Sequence, residues 1–169
     1  SYASGDGTNV LYFTKTISAG ENIDPLKILN STQPTLTGGT IKDSASNDAV
    51  LTLSSDVTFN STIIDTTAPT AAITYNSVGP YKNGETVIIT ATFNEAMVDS
   101  PVPQIAIAGS GIANISATDM TKTSATVYTY NYVVPSGDGS GTITLSTGTD
   151  LAGNAIVTTP TSGASFSVD

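Results

Sequence analysis

From Val127 to Val133 the chain sets Tyr128, Tyr130 and Tyr132 on one face of an extended strand and Val127, Thr129, Asn131 and Val133 on the other. This period of two recurs along the chain, and turn residues interrupt it every ten or so positions. Successive side chains of a strand point to opposite faces, so the pattern predicts β-structure and almost no helix. Strands are expected at Val10–Ile17, Leu26–Leu29, Thr40–Lys42, Ala49–Leu53 and Phe59–Ile64, then at Ile73–Tyr75, Val87–Phe93, Ile112–Ala117, Ala125–Val134, Thr142–Leu145 and Ser165–Val168. Val87–Phe93 reads as the best central strand. Pro101 and Pro103 predict that Gln104–Ile107 is a short edge strand, because proline has no N–H for a ladder. Pro135–Gly141 reads as a glycine-rich turn. Seven or so short strands with these turn intervals in the second half predict an all-β fold of antiparallel β-sandwich modules.

An internal repeat organises the chain. Leu11–Ile17 followed by Ala19-Gly20-Glu21 matches Val127–Val133 followed by Ser136-Gly137-Asp138. Asp43-x-Ala45-x-Asn47 matches Asp150-x-Ala152-x-Asn154, and Ile64-Asp65 matches Val168-Asp169. One module is therefore expected over 67–169. Residues 1–66 are expected to be the C-terminal part of another, lacking the counterpart of Thr70 to about Gly111. Either the chain is part of a longer array, or the missing strands come from another molecule by strand addition. Between the modules lies Asp65-Thr66-Thr67-Ala68-Pro69-Thr70. Pro69 biases Ala68 towards extended geometry, giving a short, stiff joint with a carboxylate at its start.

Composition narrows the function. Five lysines face 14 acidic residues, for a net charge of −9, and serine and threonine exceed a quarter of the 169 residues. An acidic surface disfavours nucleic acid and anionic lipid and suits divalent cations. There is no cysteine and no histidine. That excludes disulfides, thiolate metal sites and the usual activated nucleophiles, and no Ser-x-x-Lys pattern or cleft-forming acidic pair replaces them. An enzyme is not expected. No apolar run approaches a transmembrane length and no leader is present, so an export signal would lie outside these residues.

The strand ending Thr92-Phe93-Asn94-Glu95-Ala96, the Asp150-Leu151-Ala152-Gly153-Asn154-Ala155 loop and the Asp65–Thr70 joint resemble the immunoglobulin-like repeats of very large prokaryotic surface proteins. Those include giant adhesins of bacteria and S-layer-type proteins of archaea and bacteria. The resemblance implies Ig-like sandwiches in tandem, an extracellular or cell-surface location and calcium at the joints. The first loop departs from the pattern, with Ser46 in place of the glycine and Asp48 added.

A separate argument from the residues also points to a cation. Loops of a sandwich cluster at its two ends, and the end that receives the joint should hold Asp65, Glu95 and the Asp150–Asn154 loop. The first module should present Glu21 and Asp24 there. Convergent carboxylates repel one another unless a cation lies among them, and Ca²⁺ accepts six to eight oxygens in flexible geometry. The expected metal ligands are Asp65, Glu95, Asp150 and Asn154, joined by Glu21 or Asp24, with a half-site at Asp138 and Asp169. Each of these also reads as an ordinary turn residue, and Asp138-Gly139 reads as a plain turn. Asp56, Asp99 and Asp119 read as surface charge. Asn30, Asn60 and Asn114 head N-x-Ser/Thr acceptors. The tyrosine stripe reads as a sugar-stacking face or as packing against a second layer.

Together these residues predict a non-catalytic structural repeat of a large extracellular protein, stiffened by calcium and partnered by neighbouring repeats. The first alternative is an S-layer or filament building block that assembles by lateral or strand-exchange contacts. The second is a module that adheres to surface glycans or ice. Neither nucleic acid nor membrane insertion is expected.

Overall fold

Alternation yields a long strand only where a second layer covers one of its faces, and the two parts of this chain differ in that respect. The computed structural model describes residues 2–31 and 35–169, with strands, turns and irregular segments and no helix among them. The chain divides into two units, Ser1–Thr66 and Thr67–Asp169.

The first unit holds four short strands: β1 (Tyr2–Ser4), β2 (Tyr12–Phe13), β3 (Leu26–Ile28) and β4 (Val57–Phe59). They form two antiparallel hairpin-like sheets, β1–β2 and β3–β4. The antiparallel bridge Ile23–Ile64 lies beyond the β3–β4 pair. Among the described residues of 1–66 none is buried. This explains where the sequence pattern overreaches. Of Val10–Ile17 only Tyr12–Phe13 is strand, Ala49–Leu53 forms none, and Thr40–Lys42 is reduced to a bridge between Lys42 and Asp48. Phe59–Ile64 is strand only at Phe59, with Ile64 in its single bridge. Ladder hydrogen bonds alone do not offset the entropy of ordering a strand that buries nothing.

The second unit holds β5 (Ala71–Tyr75), β6 (Thr86–Phe93), β7 (Gln104–Ser110), β8 (Ile115–Asp119), β9 (Thr121–Lys122), β10 (Val127–Val133), β11 (Gly139–Ser146) and β12 (Ser165–Val168). They form two four-stranded sheets, β5-β6-β10-β9 and β12-β11-β7-β8, with antiparallel pairing throughout. Both sheets feed one apolar cluster. Val87, Ile89, Ala91 and Phe93 of β6 meet Ile105, Ile107, Ile143 and Leu145 of β7 and β11 there. Burying each of the larger side chains contributes about 1.5–3 kcal/mol.

Two expectations are corrected here. Residues 104–110 form a central strand, not an edge, because Pro101 and Pro103 precede the strand and remove no ladder donor. The Pro135–Gly141 turn gives way to β11 at Gly139. Glycine is required there: a Cβ on Gly141 would lie 2.5 Å from the Phe166 ring.

The first and last segments of this unit run side by side. Ile73 N–H donates to Ser162 O (3.0 Å) and Thr161 N–H to Ala71 O (2.8 Å). Beyond the cis Gly79–Pro80 peptide, Tyr81 N–H donates to Ser167 O (3.0 Å) and Asp169 N–H to Tyr81 O (2.9 Å). Both bridges, Ala72–Ser162 and Tyr81–Val168, are parallel.

Candidate functional site

The joint is anchored at each end by an asparagine. Thr66 N–H donates to Asn22 Oδ1 (2.8 Å), and the Thr66 hydroxyl accepts Gly20 N–H (2.8 Å). Thr70 N–H donates to Asn94 Oδ1 (2.7 Å), and Asn94 N–H donates back to Thr70 O (3.0 Å). Pro69, between these anchors, is buried, and its carbonyl accepts Val157 N–H (2.9 Å). Neither Asn22 nor Asn94 stands out in the sequence as a joint residue. The position of Asn94 directly after the longest alternating run is the signal that could have found it.

Asp150 is 1% exposed, the one charged side chain buried among the described residues. Burying a carboxylate is costly unless N–H groups solvate it. Its Oδ1 accepts the N–H of Ala152 and of Asn154, both at 2.8 Å, and its Oδ2 accepts Asn154 Nδ2 at 2.8 Å. Asp150 N–H returns a bond to Asn154 O (3.1 Å), closing the loop on its own carboxylate. Asp43 does the same in the first unit. Its Oδ1 accepts Ala45 and Asn47 N–H at 2.9 Å, its Oδ2 accepts Asn47 Nδ2 at 2.9 Å, and its N–H donates to Asn47 O (3.0 Å). Hydrogen bonds from Asn47, first the side chain and then the backbone, hold the exposed Asp43 carboxyl below its ordinary value. Ser46 keeps the left-handed backbone of Gly153, with φ 69° against 94°. The loop conformation therefore survives the loss of the glycine.

The loop after β6 lies against the Asp150 loop, because Met97 bridges Asp150 and Val98 N–H donates to Thr149 O (3.0 Å). This places Glu95 beside Asp150. One carboxylate oxygen each from Asp65, Glu95 and Asp150 lies within 4.8 Å of the other two. Asp65 and Glu95 are half-buried. An all-oxygen donor set of this kind is what a hard divalent cation takes. Asn154 is tied to this group through Asp150 Oδ2.

The other candidates are placed differently. Glu21 is engaged by Lys15 (2.9 Å) and by Ser18 N–H (3.3 Å), and the Lys15 bond pulls its carboxyl below the ordinary value. Asp24 is exposed. Asp138 and Asp169 are exposed and flank the paired residues Gly139 and Val168; no third acidic group joins them among the described residues. Asp99 pairs with Lys122, Asp119 accepts Gln104 Nε2 (2.8 Å), and Asp56 accepts Asn30 N–H (2.9 Å).

Tyr128 and Tyr132 face the core, so the stripe is not an exposed stacking surface. The outer face of the same sheet carries Thr74, Thr90, Thr129 and Thr121 in one register row across four strands. Asn60 sits in an exposed turn closed by Thr62 N–H to Phe59 O (3.0 Å), whereas Asn114 Oδ1 accepts Gly109 N–H (2.9 Å). Thr32, which completes the Asn30 acceptor, lies outside the described residues. No family model, curated protein or solved structure matches this chain.

Proposed function

We propose that this chain is a non-catalytic structural segment of a large cell-surface or extracellular protein, built from Ig-like sandwich modules and stiffened by calcium at the joint. The observation that carries the reading is the convergence of Asp65, Glu95 and Asp150, one of them in the joint itself. Asp150 and Asn154 fix the loop, and Asp65 and Glu95 complete an oxygen cage. A cation there would offset the mutual repulsion of three carboxylates and hold the joint in one geometry. Extracellular modules bind calcium at about 10⁻⁴–10⁻³ M, so the medium outside a cell would load such a site. The net charge of −9 and the absence of cysteine and histidine suit that setting. A second reading, an adhesive module for glycan or ice, is supported by the register row of four threonines.

The test is thermal unfolding in EDTA and in about 10 mM calcium for the wild type, Asp65→Asn and Asp150→Asn. At 100 times Kd a ligand of the folded state stabilises by about 2.7 kcal/mol. The reading expects a calcium-dependent rise of several degrees in the wild type and none in either variant, each compared with itself in EDTA. Coincident wild-type curves in EDTA and calcium would overturn it. Ice shaping or retention on a glycan surface, lost in Thr90→Tyr, would establish the second reading.

A further inference from the structure

The charged side chains of residues 67–169 lie at the two ends of that unit. Glu85 O accepts Val134 N–H (2.9 Å), which sets Lys82 and Glu85 where β6 begins and β10 ends. Asp138 and Asp169 flank the Gly139–Val168 pair at the same end. At the other end Glu95 and Asp150 lie in adjoining loops, Lys122 engages Asp99, and Asp119 stands opposite Gln104.

The outer face of the β5-β6-β10-β9 sheet is therefore without charge among the described residues. Beside its row of four threonines stand Ala72, Thr92 and Val127 in one register row and Ile88 and Asn131 in another, with Thr86 and Val133 beyond. The residues between them in β6 and β10 point into the core, apart from the half-buried Tyr130. Ile88 is 39% exposed and Val133 62%. An antiparallel sheet that faces water on one side puts polar side chains there. Here the branched methyls of Ile88, Val127 and Val133 share that side with threonine.

We propose that this face docks a second copy of the chain, face to face and two-fold, so that the sandwiches associate side by side. Charge selects the occupant. A charged group brought against this face loses its hydration and finds no counter-charge, so the partner must be uncharged over the whole contact. The same face of a second copy meets that requirement, and a two-fold contact sets the patch against itself. Sheets stacked in this way lie about 10 Å apart with their side chains interleaved. Area sets the strength. Four strands about 4.8 Å apart and five residues of about 3.4 Å each make a face of roughly 300 Å². Two such faces bury about 600 Å², below the roughly 1,200 Å² at which stable interfaces begin, so the contact is weak and concentration-dependent. It involves the sheet face alone and is independent of any cation at Asp65. A second copy seated there covers the threonine row and leaves it unavailable to glycan or ice.

The test follows the methyl NMR signals of Ile88, Val127 and Val133 in the full chain, in EDTA, as its concentration rises to about 1 mM. These signals should shift with concentration while those of Ile105 and Ile107 in the core stay fixed. Salt gives the contact a sign. Each copy carries a net charge of −9, and the screening length falls from about 10 Å at 0.1 M salt to about 3 Å at 1 M. Association should therefore strengthen about threefold or more over that range. Ile88→Lys and Val133→Lys should each abolish the shifts of the remaining face methyls, with the core methyls unchanged as the sign of a kept fold. Thr144→Lys, on the outer face of the other sheet, should leave the shifts as they are. Signals that do not move with concentration in 1 M salt, or association that weakens as salt rises, would overturn the proposal. So would shifts that Ile88→Lys preserves or Thr144→Lys removes, or retention on ice or a glycan surface with no such shifts.

Discussion

Phe93 stands perpendicular to Tyr128 with ring centroids 5.8 Å apart, and the Tyr128 hydroxyl is buried without a hydrogen-bond partner. The edge-to-face contact needs the ring alone. A buried unsatisfied hydroxyl costs about 1–3 kcal/mol. Tyr128→Phe is therefore expected to raise stability by about 1 kcal/mol in urea unfolding. Tyr81→Phe should lower it by a similar amount, because the Tyr81 hydroxyl donates to Ser77 O at 2.6 Å.

Alkaline pH should unfold the second unit through its tyrosines. Burial pushes Tyr75 up to about 12 and raises Tyr81, Tyr128 and Tyr132 as well. An unfolded tyrosine ionises near 10, so between about 10 and 12 the unfolded state binds fewer protons than the folded state. Stability is full below pH 10 and is lost as pH rises towards 12. Tyrosinate absorbance of these residues should appear together with loss of the β-sheet signal; ionisation well before unfolding would contradict the burial.

The paired aspartate loops predict reciprocal glycine effects. Nothing lies within 4 Å of a Cβ built on Gly153, so Gly153→Ser tests backbone strain alone. A non-glycine residue in the left-handed region costs about 1–2 kcal/mol, partly offset by the entropy glycine loses on folding. Gly153→Ser should destabilise by about 1 kcal/mol. Ser46→Gly should slow exchange at Asn47 N–H by a few-fold, the opposite sign at the equivalent place.

Where β7 and β11 approach, Gly109, Gly111, Gly137, Gly139 and Gly141 leave no room for a Cβ. A Cβ on Gly111 would lie 1.9 Å from Asp138 O, and one on Gly141 2.5 Å from Phe166 and 2.9 Å from Ile112. Gly141→Ala is expected to cost about 1–3 kcal/mol by overpacking. Gly84→Ala, with open space around its Cβ, pays only for its positive φ and should cost less in the same urea titration.

The all-β character was legible because alternation in stretches such as Val87–Phe93 coincides with a covered face. Where no second layer exists, the same pattern misled: Val10–Ile17 alternates as well as Val127–Val133 does, yet only Tyr12–Phe13 is strand. Strand length there depends on neighbours that local sequence does not encode. Gln104–Ile107 does not form the expected edge strand because Pro101 and Pro103 lie ahead of the ladder, where they remove no donor. At the site, the Asp-x-Ala-x-Asn repeat marked both loops, whereas the asparagines that anchor the joint escaped notice. A single Oδ1 bonded to a distant backbone N–H leaves no spacing to read.

The parallel run of the first and last segments of residues 67–169 has a consequence for force. Traction applied at Thr67 and Asp169 pulls the two segments along their length in opposite directions. The bonds joining Ala71, Ile73 and Tyr81 to Thr161, Ser162, Ser167 and Asp169 then lie across the direction of traction and are sheared together, instead of being unzipped one at a time. Such an arrangement yields abruptly, all its bonds giving way at one threshold.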